Sequence, residues 1–280
     1  MALDPSVFRV VNPSQFYDRF LGNDVRPDGR ALLKWRKTST TLRTIGTADG
    51  SCTAKIGNTT VICAIKAEVA KPDVDAPAAG FIDVNVNLSP LCSTSFTIGK
   101  PNELSHGIAA RVSNILKTSG AVPLEHLVIQ NGEHVWVLYV DVVCLNYDGN
   151  AFDATLLAVN GALADLRIPV PVLDTSPKAT GMVRVKNNET TKLPVRHMPL
   201  SLSFTVVNGH VIADANAEEE RLGAGTLSIV INDRDEICSI YKPGGATMGD
   251  ATIRQCIAIA RTRCSALQKV LRKSLSKLST

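Results

Sequence analysis

The chain has 280 residues, 45% of them hydrophobic and 20% charged, with 30 basic against 26 acidic side chains and a formal net charge of +4. That is enough apolar material for one large core or two modest ones, and it excludes a disordered chain and a fibrous repeat. The apolar runs, such as 135–143 with Asp141 inside it, fall short of the roughly 18–20 residues that cross a bilayer, so the sequence reads as soluble. The start MALDPSVFRVVNPS carries Asp4 and no basic n-region, which reads as an intracellular chain without a secretory signal.

Asn12-Pro13 is a helix start, and Phe16 and Phe20 at i, i+4 predict a helix of about two turns behind it. After the turn Arg26-Pro27-Asp28-Gly29-Arg30 the pattern switches to strands at 40–48, 51–57 and 59–69, the last two joined by Gly57-Asn58. Residues 81–88, FIDVNVNL, alternate apolar and polar in period two, as a half-buried strand does. A helix follows at 105–117, with Ile108, Val112, Ile115 and Leu116 on one face and Gly120 as its stop. HVWVLYVDVVCLNY, 134–147, is long and β-branched and suits a central strand. Residues 151–166 read as a helix buried on two sides, and Pro169, Pro171 and Pro177 mark a linker over 169–193.

The second half repeats this grammar in shorter form. Strands at 201–207 and 210–215 are joined by Asn208-Gly209, a strong hairpin signal, and two more flank Asp233-Arg234-Asp235. A final helix starts near Gly249, with Ile253, Ile257, Ala260, Cys264, Leu267 and Leu271 forming one seam. The fold class is therefore α+β, in two β-rich halves each closed by helices, with internal duplication as an option. The domain reading is a helical extension at 1–28, a first domain at 29–168, the linker, and a second domain at 194–280.

The seven cysteines include no C-x-x-C pair and several sit in strand-like runs, so they read as core residues. The five histidines have no ligand spacing; no metal and no cofactor is expected. The charge is uneven: seven of the thirty basic residues and none of the acids lie beyond Asp250, leaving residues 1–250 at −3. That basic end is either the solvated face of the last helix or a patch for phosphates.

Three features are candidates for chemistry. Asp214, Glu218, Glu219 and Glu220 are a magnesium-type cluster, or else a solvated loop or a helix N-terminus. Lys242-Pro243-Gly244-Gly245 is a phosphate-approaching turn or a plain one, and it lacks the P-loop spacing. Asp148-Gly149-Asn150 precedes a helix whose N-terminus could receive an anion.

RPDGR (26–30), TADGS (47–51), KIGNTTVICAIKAE (55–68), DAPAAGF (75–81), VWVLYVDVVCLNYDGN (135–150) and KPGG (242–245) resemble the RNase PH superfamily, in the right order over about residues 14–265. Within it, RPDGR together with VNLSPLCS (86–93) and ADANAEEE (213–220) is most similar to a eukaryotic RNA exosome ring subunit. The resemblance implies duplicated βαβα-type units, with a short N-terminal helix and a C-terminal amphipathic helix. It also implies dimers closing a six-membered ring around an RNA channel, and, in active members, phosphorolysis of RNA from its 3′ end. Active members bind phosphate through a hydroxyl residue followed by arginine; here these positions are Ala151 and Phe152. They also carry two aspartates, matched here by Glu220 and Thr226, and an arginine pair that grips RNA, replaced here around Lys100-Pro101-Asn102-Glu103.

The resemblance therefore implies a non-catalytic ring subunit, with Lys100 and Arg111 left to touch RNA phosphates, Arg111 projecting from the flank of its helix. The implied partners are other RNase PH-like subunits, including one similar to exosome component 5, an exosome cap subunit and single-stranded RNA, in the nucleus, nucleolus and cytoplasm. An active phosphorolytic exoribonuclease and a metal-dependent phosphoesterase are the competing readings.

Overall fold

The computed structural model describes residues 5–97, 102–173 and 183–277. Two short helices open the chain, α1 (Pro5–Val11) and α2 (Pro13–Leu21), the second capped by the Asn12 side chain, which accepts from the Gln15 amide. The first sheet is built from β1 (Thr38–Leu42), β2 (Gly50–Ile56), β3 (Thr59–Ala70), β4 (Phe81–Leu88), the short β5 (Val128–Gln130) and β6 (His134–Asn146), in the order β1-β2-β3-β6-β4 with β5 also on β6. β6 is central as its apolar run requires: it is antiparallel to β3 and parallel to β4. Helix α3 (Glu103–Thr118) makes the crossover between β4 and β6 and packs on β4 through Ile108, Val112, Ile115 and Leu116.

The second sheet orders β9 (Leu200–Val207), β10 (His210–Ala213), β11 (Gly225–Ile231) and β12 (Ile237–Tyr241) as β10-β9-β11-β12, all antiparallel. Asn208 and Gly209 both take positive φ, the turn that this dipeptide favours. Between the two sheets lies α4 (Ala151–Asp165), every residue of which is buried. It packs on β2 and β3 from one side and on β9 from the other. Helix α6 (Asp250–Ser276) runs along β1, β9 and β11. Its buried seam is Cys256, Ala260, Cys264, Leu267 and Leu271; Ile253 and Ile257, expected in it, are only half-buried.

The stretch 169–193, read from its prolines as a linker, has secondary structure of its own. It holds most of β7 (Arg167–Leu173) and β8 (Val183–Lys192), an antiparallel pair forming a small third sheet. Prolines fit because each strand of a two-stranded ribbon has one edge that needs no N–H. All seven cysteines are free thiols and six are buried, and burial pushes the thiols of Cys52 up to about 12 and Cys256 up to about 11. They are packing residues at neutral pH. None of the described helices is long and apolar enough to cross a membrane.

Candidate functional site

Two loops make the floor of the site. After β6 the chain turns through Asp148, Gly149 and Asn150 into α4, with φ of 74° at Gly149 and 56° at Asn150. A Cβ on Gly149 would stand 2.6 Å from the Ala215 carbonyl oxygen and 2.7 Å from the Ala217 amide nitrogen, so glycine alone lets the second loop, 214–216, pack backbone against backbone. That loop leaves β10 and enters α5 (Ala217–Leu222) under a capping box, in which Asn216 accepts from the Glu218 and Glu219 amides and Glu219 accepts from the Asn216 amide.

A cleft of about 230 Å³ lies between these loops, α3 and the faces of β9 and β11. Ala151, Phe152, Glu220, Thr226 and Arg111 all line it, beside Tyr147, Asn150, Ser203, Thr205 and Ser228. Thr226 is opposite Thr205, and Ser228 opposite Ser203, so the sheet contributes two rungs of hydroxyls. Glu220 accepts from the Tyr147 hydroxyl at 2.6 Å and from the Asn150 amide at 2.7 Å. Burial still pushes its carboxyl above the ordinary value. Asp153 accepts from Ser201 Oγ at 2.6 Å and from the Ser203 hydroxyl and amide at 2.7 and 2.8 Å, and burial raises its carboxyl as well.

Arg111 does not project from the flank of α3. Its guanidinium lies 3.6 Å from the Phe152 ring centroid and 4.0 Å from that of Tyr241, stacked between the two, with Nη2 buried and unpaired. Burial lowers its pKa, and the nearby Asp153 and Tyr241 only partly oppose this. Lys100, expected beside it, lies outside the described residues. The cleft therefore offers hydroxyls, one stacked cation and two carboxylates already bonded to donors. Among the described residues, no three His, Cys, Asp or Glu side chains converge as a metal site.

The acidic cluster is a helix N-terminus, with Glu218, Glu219 and Glu220 in the first turn of α5, and its carboxylates are bonded to arginines and other donors of the chain. Arg26, with none of its surface exposed, forks onto both Glu219 carboxylate oxygens and donates to the carbonyls of Ala213 and Asp214. Arg36 forks onto Asp214 at 2.9 and 2.7 Å and donates to the Asp148 carbonyl at 2.6 Å, tying both loops to the N-terminal segment. Asp214 also accepts from Asn150 Nδ2 at 2.7 Å. Burial pushes the Asp214 carboxyl up, but the hydrogen bonds and charge of Arg36 outweigh it and hold the group below the ordinary carboxylate value. Glu218 is taken by Arg9 and the Tyr17 hydroxyl. The N-terminus of α4 meets an anion of the protein's own, the Glu220 carboxylate at the Asn150 amide.

The profile of the 3′ exoribonuclease (RNase PH) family matches in two parts, domain 1 over residues 34–169 and domain 2 over residues 197–263. The chain belongs to the 3′ exoribonuclease family. It is 34% identical over 265 residues to the exosome complex component rrp43 of Schizosaccharomyces pombe, covering 94% of this chain and 96% of that protein. It is 35% identical to the exosome complex component Rrp42 of Thermococcus onnurineus, covering 88% and 89%. Among solved structures it superposes on a chain of the Archaeoglobus fulgidus exosome with RNA bound to the active site, with TM-score 0.82 and 31% identity over 93% of this chain and 98% of that one. An archaeal exosome core chain gives TM-score 0.79 at 28% identity, over 96% and 100%.

In this member of the 3′ exoribonuclease family, Lys242-Pro243-Gly244-Gly245 is a turn that packs on the start of β11. The left-handed Gly245 leaves no room for a Cβ against the Ala224 carbonyl, and Lys242 Nζ donates back to the Gly244 carbonyl at 2.9 Å. Sequence reasoning missed Arg26 and Arg36 as the partners of the acids. The available signal was charge complementarity between Arg26, Arg30 and Arg36 and the four acids of 214–220.

Proposed function

We propose that this chain is a non-catalytic ring subunit of the RNA exosome, acting in the processing and degradation of RNA, ribosomal RNA included, by helping to form the RNA channel. The observation that carries the reading is the filled cleft. Phe152 presents an aromatic face where a phosphate would need donors, and that face holds Arg111 against Tyr241. Glu220 spends its oxygens on Tyr147 and the Asn150 amide, and Thr226 supplies a neutral hydroxyl. Phosphorolysis needs cations for two anionic reactants, and among the described residues this cleft offers them one guanidinium, Arg111, whose two faces are already stacked on rings.

The assembly follows from surface that one chain leaves bare. Phe81, Tyr139, Val143 and Leu145 on the first sheet and Ile237, Ile240 and Tyr241 on β12 are exposed. RNase PH-like neighbours, one similar to exosome component 5, and a cap subunit cover such surface in this reading. Lys100 and Arg111 would touch RNA phosphates in the channel. Replacing both with alanine in the reconstituted ring would then flatten the salt dependence of RNA binding by up to about two counterions' worth of slope. Imaging of a tagged chain checks its placement in nucleus, nucleolus and cytoplasm.

The deciding experiment incubates the purified chain with labelled single-stranded RNA, inorganic phosphate and magnesium. No nucleotide release is expected. Nucleoside diphosphates would overturn the reading in favour of phosphorolysis, and monophosphates in favour of a phosphoesterase.

A further inference from the structure

A second, smaller cavity of about 210 Å³ lies far from the cleft in sequence, where the ends of α4 and α6 meet the start of the β7–β8 ribbon. Arg43, Ala164, Asp165, Arg167, Lys192, Leu275 and Ser276 line it. Arg43 Nε bonds Asp165 at 3.0 Å, and neither guanidinium Nη atom of Arg43 has a partner among the described residues. Arg167 and Lys192 have no side-chain partner among the described residues, and they are directly opposite each other in the antiparallel ribbon. Like charges in that position repel, so the pair is at its most stable with an anion between or beside them.

The charge balance says the same. Each helix C-terminus contributes about half a negative charge and Asp165 a full one, roughly two in all. Against these stand three lining cations, with Arg272 and Lys273, which have no side-chain partner among the described residues, one turn before Ser276 and Lys277 immediately after it. The surplus positive charge exceeds what the helix ends absorb. Ser274 fixes the end of α6 in place by bonding Thr40 at 2.8 Å, so these cations are held beside the cavity. Lys269, Lys273 and Lys277 continue from it as an i, i+4, i+8 stripe of about 12 Å along α6.

We propose that this cavity is a phosphate-binding site, and that the stripe on α6 extends it along the backbone of single-stranded RNA. The cavity has room for one tetrahedral anion and a few waters, and forked guanidinium donors suit phosphate oxygens. This site lies outside the cleft and does not depend on whether the chain is catalytic. It recognises charge and spacing, so it carries no sequence preference.

The full chain is titrated with labelled oligouridylate and with mixed-sequence RNA from about 50 to about 200 mM salt, followed by anisotropy. R167A/K192A is expected to weaken both RNAs about tenfold and to flatten the salt slope by about 1.4, the value for two single-strand phosphates. K273A/K277A, on an exposed helix face, guards against misfolding and is expected to give a smaller loss in the same direction. Inorganic phosphate that raises the Tm of the parent chain but not of R167A/K192A assigns the site to free phosphate as well. RNA affinity and slope unchanged in both variants would overturn the proposal, as would polyglutamate binding that the variants lose while RNA binding stays. Nucleotide release in the degradation assay would end the non-catalytic reading and leave these shifts untouched.

Discussion

The loops at 148–150 and 214–220 have two sides with opposite chemistry. On the side facing the N-terminal segment, Arg26, Arg30 and Arg36 meet Asp214 and Glu219 in paired, buried contacts. On the side facing α3, Glu220 and Asp153 meet hydroxyls and amides, and the cation, Arg111, is held by rings. Asn150 stands on the divide, giving its amide to Glu220 and its Nδ2 to Asp214. A buried carboxylate keeps its charge where a guanidinium closes its geometry; where the donors are neutral, burial moves its protonation upward. One side of the loops therefore fastens the fold through ion pairs, and the other lines the cleft with neutral donors and a stacked cation.

The comparison breaks most visibly at Arg26. R26A strips the buried Glu219 of its guanidinium fork, leaving it the Asn216 amide and Arg30 Nη2 at 4.0 Å, and should cost about 3–5 kcal/mol in urea unfolding, whereas R26M/E219L, removing both charges, should recover most of it. R111A gives up two stacked faces but relieves a buried Nη2, for a loss of about 1–2 kcal/mol. A double-mutant cycle with Y241A measures the coupling. Smaller differences separate the two sides by pH. Asp214 has a depressed pKa, so its contribution is present above the unfolded carboxylate value of about 3.9 and is lost as pH falls through its folded value; the margin of the parent over D214N should shrink on acidification. Glu220 has a raised pKa, so its contribution is present below about 4.3 and is lost as pH rises through its folded value; stability should shift toward E220Q as pH rises. Parallel trends in the two variants would contradict the division. K242A, confined to an exposed turn, should stay within about 0.5 kcal/mol of the parent.

Local pattern made much of the fold legible. FIDVNVNL, the run 134–147 and Asn208-Gly209 state their strands and their turn outright, and α4 declares its burial by having no polar face. β8 was illegible because VRVKNNETTK has little alternation to read, and the prolines of β7 signalled a break that an edge position removes. The cleft could be anticipated only through resemblance, which singled out Ala151, Phe152, Glu220 and Thr226 as a group; their shared cavity is a tertiary fact. Arg26 was hidden for a related reason. RPDGR does form its turn, with the Arg26 amide donating to the Arg30 carbonyl, but the burial of the side chain depends on Glu219, far along the chain.

The placement of α4 has a consequence for how the chain is made. One helix is wall to both sheets, so the two halves share a single interior, and the first half emerges from the ribosome with one flank of α4 uncovered. At about 5–20 residues per second, the stretch from Asp165 to Val207 takes about 2–8 s to synthesise, during which that flank has nothing to pack against. Over this interval the nascent chain is a client for chaperones. A chain ending before β9 would remain one, because the surface that completes its interior has not yet been translated.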